Sequence, residues 1–209
     1  MNHSVKEAGA DSSPAFEWPR KLLHLAALAP AFLLPYLDRY EAAAMALAAV
    51  AMNVLWLKFD KNHQLTRVGE RVTGGFVLYP LSIALVILVL PYFEAALAVW
   101  AVLAVGDSLA SIVGRAIGGP KLPGQSQKTV AGSCAFILAG GPAAFGMLCY
   151  GGVEMALAAS YAASTAVFGG VAEAYSLRRT EEGEVDDDNL RIAIGASIGF
   201  MIVWGMNQA

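Results

Sequence analysis

Long apolar runs separated by short polar segments cover most of the chain after residue 16. They fall at about 22–37, 42–57, 76–90, 95–113, 130–150, 155–175 and 192–206. A helix needs about 20 apolar residues, within a range of about 17–25, to cross a bilayer, so several of these runs are slightly short. Because only helices and closed barrels satisfy their backbone in lipid, the pattern predicts an all-α polytopic integral membrane protein with about seven transmembrane helices.

The composition supports a membrane protein as well. The chain is 57% hydrophobic and 15% charged, whereas soluble domains are about 45–50% apolar and about 25% charged. The polar segment 1–16 shows no hydrophobic periodicity and is predicted to be a disordered cytoplasmic tail, so 17–209 forms a single transmembrane domain. With a pI of about 5.6 and no basic stripe, no nucleic-acid partner is expected.

The positive charges are distributed unevenly between the two sides of the membrane. If every apolar run spans, all of the 14 Lys and Arg residues except Arg39 lie on one side. The positive-inside rule then predicts a cytoplasmic N-terminus and an outside C-terminus. The polar clusters beside the runs also fall at the cytoplasmic side. Transporters are expected to place polar groups near the midplane, so this pattern favours an enzyme that acts on a cytosolic reactant and a lipid.

The segment 106–133 carries the densest chemistry of the chain. It leaves one apolar run through a Gly/Pro-rich basic loop and then starts another run. Asp107 is an ionisable residue inside an apolar run, which is a functional-site signal by default. Lys121 and Lys128 can donate charge-assisted hydrogen bonds to phosphate, and the loop glycines allow close approach. The segment predicts a phosphate-binding loop at a membrane surface, although Gln127 replaces the second glycine of a P-loop.

Helical spacing predicts which polar side chains share a face. Lys21 and His24 would lie together near the start of the first helix, with Glu17 on the same face if the helix begins early enough. In the fourth run, Asp107 and Arg115 share a face with Ser111, so a self-satisfied Asp–Arg pair is a structural alternative to a functional site.

Carboxylates recur at the cytoplasmic ends of the later runs. Glu173 closes the sixth run, and Asp188 and Asn189 open the seventh, where they could also serve as helix caps. Together with Asp107 these carboxylates would lie at one membrane depth. Hard oxygen ligands of this kind, combined with substrate phosphates, suit Mg²⁺.

Four short motifs, each weak alone, occur in order along the chain. They are Glu17-x-x-Arg20-Lys21-x-x-His24, Gly106-Asp107-Ser108-x-Ala110-Ser111-x-x-Gly114-Arg115-x-x-Gly118, Lys128-Thr129-x-x-Gly132-Ser133 and Glu173…Asp188-Asn189-Leu190. Together they resemble the dolichol kinase, phytol kinase and CTP-dependent diacylglycerol kinase family over roughly residues 17–195. That family is similar in turn to the phosphatidate cytidylyltransferases.

The resemblance implies an enzyme of the cell or inner membrane that uses CTP and Mg²⁺ to phosphorylate a lipid alcohol at the cytoplasmic face. The alcohol would be a polyprenol, a phytol-type isoprenoid or diacylglycerol. The residues fall into three groups: catalytic Asp107, Lys128, His24 and Lys21; nucleotide-binding Arg115, Lys121, Thr129, Gly132, Ser133, Gly106, Ser111 and Gly114; and metal-binding Asp107, Glu173, Asp188 and Asn189.

The chain departs from the family pattern at one position. The family usually shows Lys-[Ser/Thr]-x-Glu-Gly-Ser, and here Ala131 takes the place of the glutamate. The acidic residues Asp186–Asp188 could compensate. Two other functions stay open: a cytidylyltransferase that makes a CDP-lipid, and a membrane transporter. Small-residue pairs such as Gly169-Gly170 permit packing within the chain or between chains, so a homodimer is possible.

Overall fold

The computed structural model describes residues 18–59, 74–123, 128–175 and 188–208. All of the candidate catalytic, nucleotide-binding and metal-binding residues lie within these ranges. Several features of the sequence predictions lie outside the described residues: the tail 1–16, Glu17, Gln127, Asp186 and Asp187.

The described residues form helices joined by short connections. The elements are α1 Trp18–Ala26, a 3₁₀ helix Ala29–Tyr36, α2 Arg39–Phe59, α3 Gly75–Val89, α4 Glu94–Ala101, a π-helical turn Val102–Gly106, α5 Asp107–Ile117, α6 Val130–Tyr150, α7 Met155–Ala174 and α8 Asp188–Met206. Within these ranges there is no β-strand, and an isolated antiparallel bridge pairs Lys121 with Thr129. The all-α prediction is therefore confirmed for the described part of the chain.

Several helices suit a membrane environment by length and composition. Five are long and apolar enough to cross a bilayer: α2, the continuous helix Glu94–Ile117 formed by α4, the π turn and α5, and then α6, α7 and α8. Two shorter apolar helices, Lys21–Tyr36 and Gly75–Val89, occupy the first and third predicted runs. These helices are compatible with an integral membrane protein.

The first apolar run does not form one regular α-helix. Pro19 lies in the first turn of α1, a position that proline favours because its missing N–H has no partner there anyway. The α-helix ends at Ala26, and the 3₁₀ helix that follows contains Pro30 and Pro35. Proline inside an α-helix removes a hydrogen bond and clashes with the preceding turn, which explains why the regular winding stops here.

One end of the helix bundle gathers charged residues, and we call it the charged end. It holds the starts of α1, α3, α6 and α8, the end of α7 and the second half of the Glu94–Ile117 helix. The Asn189 amide of α8 donates to the Gly75 carbonyl of α3 at 3.2 Å, which ties two of these helix starts together. The ion pairs of this end are described with the candidate site below.

We call the opposite end the aromatic end. The rings of Tyr92, before α4, and Trp204, near the end of α8, lie 4.6 Å apart. The hydroxyl of Tyr150, at the end of α6, donates to the Phe32 carbonyl of the 3₁₀ helix at 3.0 Å. At each end of the bundle, the end of one helical unit lies near the start of the next unit. Consecutive helical units therefore run in opposite directions.

The helix Glu94–Ile117 lies at the centre of the bundle. Every side chain from Ala95 to Ala104 is buried, as expected for a helix that is apolar on all sides. Helix α6 crosses it closely: a Cβ on Gly140 would lie 3.4 Å from the Gly106 Cα, and one on Gly106 would lie 3.1 Å from the Phe136 ring. Small residues at this crossing allow the two backbones to approach and so fix where α5 begins.

The glycine pair of α7 packs inside the chain. A Cβ on Gly169 would lie 3.1 Å from Val102 Cγ1, and one on Gly170 would lie 2.9 Å from Ile137 Cγ1. The pair therefore accounts for helix packing within one molecule. The homodimer remains a prediction without support from these glycines.

Candidate functional site

A π-helical turn places the first candidate residue. Val102–Gly106 winds as a π helix, and Asp107 follows it directly as the first residue of α5. Single π turns inside α-helices occur frequently at functional sites, because they change the direction in which the next side chains point. Asp107 is only 7% exposed, and it follows directly on the apolar stretch 95–106.

Two residues of α1 compensate the buried carboxylate of Asp107. Lys21 Nζ lies 2.9 Å from Asp107 Oδ2, and His24 Nε2 lies 3.7 Å from the same oxygen. The His24 ring meets the ring of Tyr79 edge-on, with centroids 4.2 Å apart. Lys21 and His24 share one face of α1, as their spacing predicts. Asp107 thus has an ion-pair partner in Lys21 of α1, which the alternative of an Asp–Arg pair did not include.

A second cluster is centred on Lys128, directly before α6. Its Nζ lies 2.6 Å from Glu173 Oε1 of α7 and 2.7 Å from Asp188 Oδ2 of α8. Ser133 donates its hydroxyl to Glu173 Oε2 at 3.3 Å. Arg191, one turn along α8, also pairs with Asp188. One ammonium thus joins the ends of three helices.

The electrostatic environment keeps Lys128 cationic. Burial alone would lower the pKa of its ammonium, but the charges of Asp188, Glu173 and Asp107 together outweigh burial and raise that pKa above its ordinary value. The group therefore keeps its proton at physiological pH. Since Asp107 contributes to this effect, the two clusters lie close enough to interact electrostatically.

Glycines and Thr129 bring α5 and α6 together at the charged end. Thr129 Oγ1 accepts a hydrogen bond from the Gly132 N–H at 3.1 Å and so caps the start of α6. A Cβ on Gly132 would lie 2.9 Å from the Ala110 carbonyl oxygen, and one on Gly114 would lie 3.0 Å from Thr129 Oγ1. These groups thus have packing and capping roles that the sequence did not indicate, as does Gly106 beneath the Phe136 ring. Their contact with a nucleotide stays a prediction.

The basic loop between α5 and α6 turns back on itself. Gly118 and Gly119 have φ angles of 64° and 92°, a region that glycine adopts without strain. The Leu122 N–H donates to the Lys128 carbonyl, and the Val130 N–H donates to the Pro120 carbonyl, each at 3.0 Å. These bonds hold the two arms of the loop side by side.

The remaining predicted nucleotide-binding side chains lie around this loop. Lys121 is exposed and pairs through its backbone with Thr129. Arg115 is exposed on the last turn of α5, and Ser111 is half-buried one turn before it. The cations therefore lie at the same end of the bundle as the Lys128 cluster.

The predicted magnesium ligands do not surround one point. Asp107 belongs to the Lys21 cluster, whereas Glu173 and Asp188 share the Lys128 ammonium. The Asn189 amide is bonded to the Gly75 carbonyl. Among the described residues, no three His, Cys, Asp or Glu side chains are grouped so that they could hold a metal ion. The arrangement does not fit a preformed magnesium site, because lysine ammonium groups already neutralise the carboxylates.

Three side chains at this end were not expected from the sequence. Arg191 donates to the Tyr175 carbonyl at 2.6 Å besides pairing with Asp188. Its position three residues after Asp188 is a spacing that favours ion pairs and could have revealed it. Tyr79 packs on His24 from a distant helix, which no local pattern encodes. Ser108 has a buried hydroxyl with no hydrogen-bond partner among the described residues.

Comparison of the chain with protein-family models, with curated proteins and with solved structures finds no match. A functional assignment therefore rests on the chemistry of the charged end. There, two lysines, one histidine and three carboxylates are held by five helices at the edge of an apolar bundle. Such a set can bind an anion through its ammonium groups and can accept a proton through a carboxylate or imidazole.

Proposed function

We propose that the protein is a CTP-dependent lipid-alcohol kinase. It transfers the γ-phosphate of CTP to a polyprenol or phytol-type isoprenoid alcohol, or to diacylglycerol. The observation that carries the proposal is the pair of partly buried ion clusters, Lys21–Asp107 and Lys128–Glu173–Asp188, at one end of an apolar helix bundle. A soluble nucleotide and a lipid can meet only at the surface of a membrane, and this end supplies charge for both partners of the reaction.

The proposal includes seven spans, a cytoplasmic N-terminus and a charged end in the cytoplasm. The placement of all Lys and Arg residues except Arg39 supports this orientation. The short first unit is long enough as well, because a 3₁₀ helix rises about 2.0 Å per residue. With α1 at about 13 Å and the 3₁₀ helix at about 16 Å, the unit approaches the hydrocarbon thickness of about 30 Å.

The distribution of polar groups supports an enzyme over a transporter. Secondary transporters bind their substrates near the bilayer midplane, commonly at interrupted helices. Here the central helix is buried and wholly apolar from Ala95 to Ala104, and its buried ionisable residue, Asp107, lies at the charged end. A substrate route across the membrane would have to pass this apolar stretch.

The cations of the charged end would position the triphosphate. In phosphoryl transfer, catalysis consists almost entirely of positioning and charge stabilisation. We expect Lys128 to exchange its carboxylate partners for phosphate oxygens when CTP binds, because its raised pKa keeps it charged. Lys121 and Arg115, exposed on the adjoining loop and helix, are within the same region and would contact the outer phosphates. The preference for CTP rests on the family resemblance.

Asp107 would accept the proton of the lipid alcohol. The alcohol oxygen attacks the γ-phosphorus, the bond to the β–γ bridging oxygen breaks, and CDP leaves. Lys21 and His24 hold the carboxylate in place, and His24, at 3.7 Å, is the alternative proton acceptor. No step is derived through magnesium, because the carboxylates form lysine pairs and not a metal site; the predicted need for Mg²⁺ stays a prediction.

The proposal is tested by following the label from CTP. The purified protein is incubated with lipid alcohols and phosphatidate, in buffers with and without Mg²⁺, using CTP labelled at the α- or the γ-phosphate. Label that reaches lipid only from the γ-phosphate supports a kinase, and the labelled product identifies the alcohol. Label that arrives only from the α-phosphate makes the protein a cytidylyltransferase. If label reaches lipid from neither phosphate, the kinase and the cytidylyltransferase are both contradicted, and the transporter hypothesis is the one to test next.

A further inference from the structure

An apolar groove runs along the outside of the bundle between α3 and α8. Its volume is about 550 Å³. Helix α3 contributes Leu85, Val86 and Val89, among others, and α8 contributes Ile194 and Ile198. The groove lies at the bundle surface, since the Val89 and Ile194 side chains are 71% and 52% exposed. In a membrane, this surface is accessible to lipid chains.

The groove is long enough for a hydrocarbon chain that extends beyond one leaflet. The lining residues of α8 extend along a single helix face from Leu190 to Ile202, a length of about 18 Å at the α-helical rise. Half of a hydrocarbon core of about 30 Å is about 15 Å. The α3 lining runs from Ser82 to Leu90, in the second half of that helix. A chain that enters beside Leu190 and follows the groove would therefore pass the bilayer centre and end nearer the aromatic end.

The lining favours hydrocarbon over a polar ligand. Two of the lining residues are polar, Ser82 and Ser197, and the rest are aliphatic or methionine. Ser82 donates its hydroxyl to the Leu78 carbonyl of its own helix at 2.7 Å, so that donor is already satisfied. Water in such a groove would lose hydrogen bonds, whereas methylene groups would gain contacts.

One end of the groove adjoins the Lys128 cluster. Leu190 lines the groove and lies two residues after Asp188, whose carboxylate is 2.7 Å from Lys128 Nζ. The bond from Asn189 to the Gly75 carbonyl joins the starts of α3 and α8 at this point. The head group of a lipid whose chain occupies the groove would accordingly lie beside the charged end.

We infer that the groove between α3 and α8 binds the hydrocarbon chain of the lipid-alcohol substrate and directs its hydroxyl to the charged end. This inference rests on the proposed function for the identity of the ligand as substrate. The groove itself can be tested separately, because binding of a long-chain alcohol requires neither CTP nor turnover.

The first experiment maps binding without catalysis. The protein in lipid nanodiscs is irradiated with a long-chain alcohol that carries a diazirine near the end of its chain, and the labelled peptides are identified. A diazirine phospholipid of equal chain length serves as the control for bulk membrane lipid. We expect the alcohol to label α3 and α8 preferentially. Equal labelling of all lipid-facing helices, or the same pattern from the phospholipid, would overturn the inference.

The second experiment narrows the groove by substitution. Ile194→Trp fills it from an exposed position, and Leu138→Trp adds the same side chain to an exposed position of α6, where Leu138 is 75% exposed. We expect Ile194→Trp to raise the KM for a long-chain alcohol by about tenfold or more, as for other changes in hydrophobic pocket contacts. The KM for CTP and the turnover of a short-chain alcohol stay unchanged, and Leu138→Trp behaves as the wild type.

The outcomes separate the groove from the activity. If the alcohol labels α3 and α8 but no γ-phosphate is transferred, the groove binds lipid and the kinase hypothesis is wrong. If γ-phosphate is transferred but the alcohol labels other helices and Ile194→Trp leaves the KM unchanged, the kinase hypothesis is supported and the groove hypothesis is wrong. Crosslinking of α3 and α8 between two copies of the chain would identify the groove as a dimer interface and would also overturn the inference.

Discussion

The two ends of the helix bundle use charged side chains in different ways. At the aromatic end, two carboxylates satisfy backbone groups close to them in sequence, and the Arg39 guanidinium donates to the Pro91 carbonyl at 2.7 Å. Asp38 Oδ1 accepts hydrogen bonds from the N–H groups of Tyr40 and Glu41 at 2.8 Å and begins α2. Glu154 accepts from the two N–H groups at the start of α7 at 3.0 Å. These are ordinary helix caps, which stabilise the ends of the helices that carry them.

At the charged end, the ion-pair partners come from distant parts of the sequence and are partly buried. Lys21 and Asp107 lie 86 positions apart, and Lys128 lies 45 and 60 positions from Glu173 and Asp188. Removing such groups from water costs several kcal/mol per ion, and their attraction often does no more than offset that cost. Stability alone therefore gives little reason for these pairs. The comparison teaches that the charges of the aromatic end serve the fold, whereas those of the charged end are better explained by function.

Lys128→Met should produce the largest effect. It leaves Glu173 and Asp188 facing each other without their shared cation, and Arg191 remains as a partner of Asp188 alone. We expect the free energy of unfolding to fall by roughly 3 kcal/mol, the lower end for breaking a buried pair, because Asp188 is still partly exposed. γ-Phosphate transfer should also be lost. Unfolding in mixed micelles and the labelled-CTP assay measure the two effects.

A combined variant sharpens this test. Adding Glu173→Gln and Asp188→Asn to Lys128→Met removes the carboxylates that the single variant leaves uncompensated, so part of the lost stability should return. Activity should not return. A triple variant no more stable than Lys128→Met would mean that the cluster does not act through its charges.

Asp107→Asn tests the catalytic carboxylate with little change of shape. We expect turnover to fall by about 10²–10⁴-fold, the usual contribution of a general base, while the protein remains folded. The matched control is Asp38→Asn at the aromatic end, where asparagine is an equally good cap. The control should keep turnover within about twofold of the wild type. Wild-type turnover in Asp107→Asn would remove this residue from the site.

Two Gly→Ala substitutions in α6 compare a tightly packed position with an open one. Gly132→Ala brings a Cβ to 2.9 Å from the Ala110 carbonyl oxygen, whereas a Cβ on Gly146 meets no atom within 4 Å. We expect the first to lower the free energy of unfolding by about 1–3 kcal/mol through overpacking, and the second to raise it by up to about 1 kcal/mol through helix propensity. Equal effects would show that the α5–α6 crossing is not tight.

Glu154→Gln should have the smallest effect. The backbone N–H groups of Ala156 and Leu157 lower the pKa of Glu154 below its ordinary value of 4.5. A carboxylate with a lowered pKa stabilises the fold above its unfolded pKa, and the contribution is lost as the pH falls through the folded pKa. Glu154→Gln should therefore melt slightly lower than the wild type at neutral pH, and the difference should shrink as the pH falls below 4.5 and vanish once it is below the lowered pKa of Glu154. A difference that persists in acid would argue against the cap.

The sequence alone determined much of the local structure. Apolar runs of near-spanning length predicted helices that the described residues contain, and Pro19 marked the first turn of α1. The spacing of Lys21 and His24 predicted a common face, because side chains three or four positions apart on a helix are neighbours. The sequence also predicted that Asp107, Glu173 and Asp188 lie at one depth, and the structure places all three at the charged end.

Only the tertiary structure decided which of these residues are partners. The sequence grouped Asp107, Glu173, Asp188 and Asn189 as one metal site, whereas the structure divides the carboxylates between Lys21 and Lys128. The π turn that places Asp107, and the packing of Gly114 and Gly132 between α5 and α6, were equally hidden. The physical reason is that helical periodicity fixes the face on which a side chain lies. Its partners depend on how distant helices cross, and that is set by packing over the whole bundle.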